Sequence, residues 1–129
     1  LKKVLVSFVT LFLIVMPSTP TMASNQSDFE KALLSLMWED IDKAVDNYYD
    51  IEDVHVQYYD QKVIDLKMKN ALDFEITIQL NAFIGAHNTI GTDTLTFVTE
   101  EPNKLKLVNY KHTPTKEKKE ILEWYLKNR

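Results

Sequence analysis

Phe74–Ile84 reads Phe-Glu-Ile-Thr-Ile-Gln-Leu-Asn-Ala-Phe-Ile: apolar Phe74, Ile76, Ile78, Leu80, Ala82 and Ile84 alternate with Glu75, Thr77, Gln79 and Asn81. Successive side chains of an extended chain point to opposite faces, so this period of two predicts a strand with one face in a core and the other on polar surroundings. The same period recurs on both sides of it. Val54–Tyr59 and Lys62–Lys69 flank Asp60-Gln61 and read as a hairpin, while Thr94–Thr99 and Lys104–His112 flank the turn Glu100-Glu101-Pro102-Asn103. Such short connections fit antiparallel neighbours and leave no room for the crossovers that parallel pairing needs. A five-stranded antiparallel meander is expected.

Helical spacing brackets the strands. Ser27-Asp28-Phe29-Glu30 has the form of a capping box, which places a helix start at Ser27. Phe29, Leu33, Leu36, Met37, Ile41, Ala44, Val45 and Tyr48 then recur every three or four residues, a stripe that one amphipathic helix would bury. At the other end Thr113-Pro114 is expected to open a basic helix over residues 114–129, with Ile121, Leu122, Tyr125 and Leu126 as its apolar positions, packed on the sheet or projecting from it. The fold class is α+β, an N-terminal amphipathic helix packed on a five-stranded antiparallel meander sheet plus a C-terminal helix. The plan is like that of the cystatins and nuclear transport factors, an analogy of architecture only.

Residues 1–23 read as a signal peptide. Lys2-Lys3 precede the apolar run Val4–Met16, then come Pro17-Ser18-Thr19-Pro20 and the small-residue site Thr21-Met22-Ala23, with cleavage expected before Ser24. Thirteen apolar-run residues cover roughly 20 Å, short of a ~30 Å hydrocarbon core, which favours export over a membrane span. Residues 24–129 are expected to form a single domain, secreted or held at the cell envelope, with no stable transmembrane span after cleavage. The chain has no cysteine, so neither a disulfide framework nor a lipidated cysteine is available to it.

Charge is distributed unevenly. Residues 24–103 carry five lysines against sixteen acidic side chains, whereas residues 104–129 carry eight basic side chains against three glutamates. An acidic body argues against nucleic acid as a partner, because phosphate neutralisation needs a basic surface. The basic end either pairs with the acidic body inside the fold or meets an anionic wall polymer or lipid headgroup. Glu39, Asp42, Asp46 and Asp50 form a solvated helix face rather than a calcium loop, since the D-x-[DN]-x-[DN]-G pattern is absent. Tyr48-Tyr49-Asp50 and Tyr58-Tyr59-Asp60 repeat a tripeptide in two different contexts, with tyrosine at the boundary of a core or in an aromatic binding patch.

Inventory removes most catalytic classes. Cysteine nucleophiles are impossible, Ser24, Ser27 and Ser35 lie outside any G-x-S-x-G elbow, and no phosphate-binding glycine loop or H-E-x-x-H occurs. Acid/base or metal chemistry would have to use His55, His87 and His112. In a meander His87 ends the third strand and His112 the fifth, about 10 Å apart at two strand spacings, with Asp93 starting the strand between. His87, Asp93 and His112 are therefore the candidate catalytic or metal-holding set at one rim, and His55 falls at the opposite rim. Parity qualifies this. Asp93 shares the inward face of Leu95 and Phe97, His112 turns inward only if its strand shifts phase near Leu107-Val108, and His87 turns inward only with a bulge at Gly85. Both glycines of the chain lie here: Gly85 as that bulge, Gly91 letting the loop turn back into Asp93.

Gly85-Ala86-His87-Asn88, Asp93-Thr94-Leu95-Thr96-Phe97, the Lys106–His112 strand and Ala32-Leu33-Leu34 together resemble a family of small exported proteins from Bacillus and relatives known only as a domain of unknown function. The likeness spans Phe29 to Pro114. It implies a Gram-positive exported protein and brings no activity, cofactor or catalytic residue with it. Two readings stand at this point: a non-catalytic binding or inhibitory module meeting an unknown protein or envelope component, without cofactor, and, as the alternative, a small metal- or acid/base-dependent enzyme at the His87/Asp93/His112 rim.

Overall fold

A computed structural model of the chain describes residues 23–128. The expected signal peptide lies outside these residues except for Ala23. Two helices, α1 (Ala23–Leu36) and α2 (Trp38–Tyr48), precede four strands, β1 (Gln57–Met68), β2 (Phe74–Ile84), β3 (Asn88–Glu101) and β4 (Lys104–Pro114), and α3 (Lys118–Lys127) closes the chain. The strands form one antiparallel sheet in sequence order.

Four strands replace the expected five because Asp60-Gln61 is not a turn. Tyr59 pairs with Asn81 and Lys62 with Gln79, so Asp60 and Gln61 together face the single residue Leu80 as a bulge within one strand, and a second irregularity follows between Val63 and Asp65. Asp60 takes a φ of 53°, a left-handed conformation that aspartate tolerates better than most residues. The bulge kinks β1 without reversing it. Val54 and Val56 are buried as expected, but in the irregular segment that leads from α2 into β1.

The first helix also departs from expectation. It is already helical at Ala23, so Ser27 lies inside α1 and is no N-cap, and the chain breaks step at buried Met37, whose ψ of 2° separates α1 from α2. Glu30, expected to reach back to the Ser27 amide, accepts instead from the Val63 amide of β1 at 2.7 Å. That contact explains why the apolar stripe is only partly covered. The helix α1 lies at the edge strand, Leu33 and Leu34 rest on the core, and Phe29 and Leu36 stay 77% and 84% exposed. Ile41, Ala44 and Val45 of α2 carry the burial.

The core lies on one face of the sheet. Ile76, Ile78, Leu80 and Ala82 of β2, Leu95 and Phe97 of β3, and the apolar residues of α2 are buried together, with Ile121, Leu122 and Tyr125 of α3 packed against them. The C-terminal helix therefore packs rather than projects. It starts later than expected, because Pro114 is still the last residue of β4, opposite Gly91. Proline is tolerated there because β4 is an edge strand.

Candidate functional site

Asp93 is the only charged side chain buried in the described core. Ionised carboxylates are not stable in such a place unless donors surround them. Its position on β3 between Gly91 and Leu95 turns it inward, and one irregularity of β4 together with the end of α2 brings donors to it. The register of β3 on β4 runs Thr96↔Asn109 and then Phe97↔Leu107, so Val108 is the extra residue, and Tyr110 and His112 face the core. From the other layer, Tyr49 descends from the end of α2.

The result is a closed hydrogen-bond set. The Tyr49 and Tyr110 hydroxyls donate to Asp93 Oδ2 at 2.6 and 2.7 Å, and His112 Nδ1 lies 2.5 Å from Asp93 Oδ1 and 2.7 Å from the Tyr49 hydroxyl. On the far side of the ring, Lys118 Nζ lies 2.8 Å from His112 Nε2. An ammonium only donates, so Nε2 must accept and the ring proton must sit on Nδ1, shared between Asp93 and the Tyr49 oxygen. A neutral imidazole thus separates a buried anion from a cation. Tyr48 stacks on Tyr110 with centroids 4.0 Å apart and planes 8° from parallel, closing the side of the cluster. Burial first, then donation to Asp93 and its charge, push the Tyr49 and Tyr110 phenols well above their ordinary value.

Gly91 makes room for this ring. A Cβ there would fall inside the His112 imidazole and 2.7 Å from the Thr113 carbonyl oxygen. Gly85 has a different reason to be glycine: with His87 it forms the β2–β3 turn, at φ of 58° and 64°. The bulge expected at Gly85 occurs at Ile90 instead, between the pairs Ala82↔Gly91 and Phe83↔Thr89.

The structure brings Asp93 and His112 together and leaves His87 out. His87 is exposed in its turn, stacked on Phe83 at 4.7 Å and edge-on to Tyr59 at 6.3 Å. His55 lies apart from both, 3.8 Å from Asp46. Among the described residues no three His, Asp or Glu side chains gather as metal ligands. Both ring nitrogens of His112 are occupied, so the cluster as folded offers no free base. Sequence reasoning missed Tyr49, Tyr110 and Lys118. The doubled Tyr-Tyr-Asp and the inward parity of Asp93 were signals for the tyrosines, since a buried carboxylate must find donors; nothing in the sequence marked Lys118.

A second surface is defined by what covers it. All three described helices contribute to the one core, and the opposite sheet face carries Glu75, Thr77, Gln79 and Asn81 of β2, Thr92, Thr94 and Thr96 of β3, and Asn109, Lys111 and Thr113 of β4. Cross-strand bonds order it: Thr77 to Thr96 at 3.2 Å and Thr92 to Asn81 at 3.0 Å. Elsewhere Trp38, Asp42, His55, Tyr58 and Gln61 line a shallow cleft. The Tyr58 hydroxyl has no partner there, and burial, with Asp42 and Asp46 nearby, pushes its titration up to about 12. Among the described residues no helix is long and apolar enough to cross a membrane.

Fold and site together define a two-layer α+β protein with an open polar sheet face and a buried Tyr–Asp–His–Lys cluster. The chain belongs to the family described as protein of unknown function, DUF3888, whose model matches residues 29–114. That span includes Tyr49, Asp93, Tyr110 and His112 and stops short of Lys118. No curated protein and no solved structure matches the chain.

Proposed function

We propose that the protein is an exported, non-catalytic binding module that meets a polar, anionic polymer of the cell envelope through its open sheet face. The observation that carries this reading is the bare face itself. Every described helix packs on the other side, leaving an array of hydroxyl and amide groups on which Glu75 and Asp65 are paired with Lys67 and Lys69, and Lys62 and Lys111 stand near its two edges. Hydroxyl and amide side chains exchange hydrogen bonds with sugar or polyol hydroxyls, and flanking ammonium groups complement phosphate or carboxylate. Export rests on the basic head, short apolar run and small-residue site of residues 1–23. The acid/base reading finds no support in a cluster whose imidazole is engaged on both sides.

Co-sedimentation of residues 24–129 with insoluble cell-wall glycan, carrying or stripped of its anionic polymer, tests the proposal. Binding to the intact wall is expected, weakened by added salt and lost in Thr94→Glu, which places an anion mid-face; Lys43→Glu, on α2, should bind as wild type. Absence of binding, or equal loss in both variants, would overturn the reading.

A further inference from the structure

The neutral His112 has one nitrogen lone pair to give, on Nε2, and Lys118 holds it at 2.8 Å. Lys118 is the first residue of α3, so this bond fastens the start of that helix to β4. The geometry points to a proton-sensitive latch: a second proton on His112 and the Lys118 ammonium compete for the same nitrogen, so acidification releases the first turn of α3.

The groups facing His112 set the sign. From β3, Asp93 accepts from Nδ1 and favours an imidazolium; from α3, Lys118 opposes it; Tyr49 after α2 and Tyr110 beside it on β4 bring neutral hydroxyls, and Tyr48 of α2 brings a ring at 6.1 Å. A proton added at Nε2 is therefore matched by an ion pair on one side of the ring. On the other side it turns an acceptor into a donor aimed at an ammonium. The lysine stem is long, flexible and only partly buried, so Lys118 rather than the enclosed Asp93 gives way. Thr115 still ties the approach to α3, its amide to the Ile90 carbonyl at 3.0 Å and its hydroxyl to the Thr89 carbonyl at 3.1 Å, which confines the release to the helix beyond it.

Amide hydrogen exchange of residues 24–129 between pH 5 and 8, corrected for intrinsic rates, reads the latch, since imidazoles change charge in that interval. Protection across the first turns of α3 should fall several-fold toward pH 5, while amides of β2 keep theirs. The same amides in Lys118→Met, which keeps the stem and removes the charge, should show no such pH dependence, and His87→Asn should behave as wild type. Protection of α3 that is flat with pH, that falls together with β2, or that falls equally in Lys118→Met would overturn the proposal.

Discussion

Gly91 and Gly85 show how one residue type is required for two unrelated reasons. At Gly91 the constraint is space, because the His112 ring occupies the volume a methyl group would need and the Thr113 carbonyl closes the remainder. Gly85 is constrained by φ alone; a Cβ there would meet Tyr125 at an ordinary 3.4 Å. Gly91→Ala is therefore expected to lose about 3 kcal/mol, through overpacking and donors pulled from Asp93. Gly85→Ala should lose about 1 kcal/mol, the cost of a left-handed non-glycine residue. Urea denaturation followed by circular dichroism decides the order, and equal midpoints would mean that the ring has space to move. The sequence placed both glycines around the site but could not separate these causes. Which side chain fills the gap at Gly91 depends on a strand twenty residues away.

Strand boundaries were legible where alternation was unbroken and failed where a bulge imitated a turn. Phe74–Ile84 is legible to the residue, since its burial follows the period as far as Phe83, which is buried out of phase against Tyr59 and His87. The segment around Asp60-Gln61 misled because a polar pair between two alternating runs is what a hairpin and a two-residue bulge share. Val108 shows the converse: a phase shift near Leu107-Val108 was the condition for an inward His112, and it occurs there. The edge strand β1 is guarded by the same irregularities and by Glu30, whose carboxylate takes up the Val63 amide. Unpaired amides on an edge invite pairing with other chains. Glu30→Ala is expected to destabilise the fold by about 1 kcal/mol and to raise exchange at the Val63 amide above that of its neighbours. Unchanged exchange at Val63 would show that the amide is protected by other means.

Taken as one body, the molecule puts much of its polar chemistry into a single buried cluster, and this governs its response to alkali. Tyr49 and Tyr110 titrate higher folded than unfolded, so both are protonated in the native state while the unfolded chain ionises near the ordinary value of 10. The folded state then binds more protons, and stability, fully present below pH 10, is lost as pH rises above it. Stepwise urea melts from pH 8 to 11.5 should show a midpoint steady to about pH 10 and falling beyond, with a smaller fall in Tyr110→Phe. A midpoint independent of pH in that range would place the phenols in water. The uneven charge of the chain was visible beforehand; its use was not. Lys104 and Lys106 reach Glu101 and Glu100 across their own hairpin, while Lys118 crosses to the buried imidazole.

The sheet order β1-β2-β3-β4 allows each strand to join the one made just before it, a topology of short loops and early closure. Asp93 works against that ease. When β3 has docked on β2 its carboxylate is already turned inward, yet two of its three donors, Tyr110 and His112, arrive only with the final strand. A three-stranded intermediate, apolar enough to collapse, thus carries an unsatisfied charge in its interior until β4 closes. The penalty raises partly folded species relative to both end states, so a chain cut after Asn103, which keeps most of the apolar core, is expected to stay unfolded.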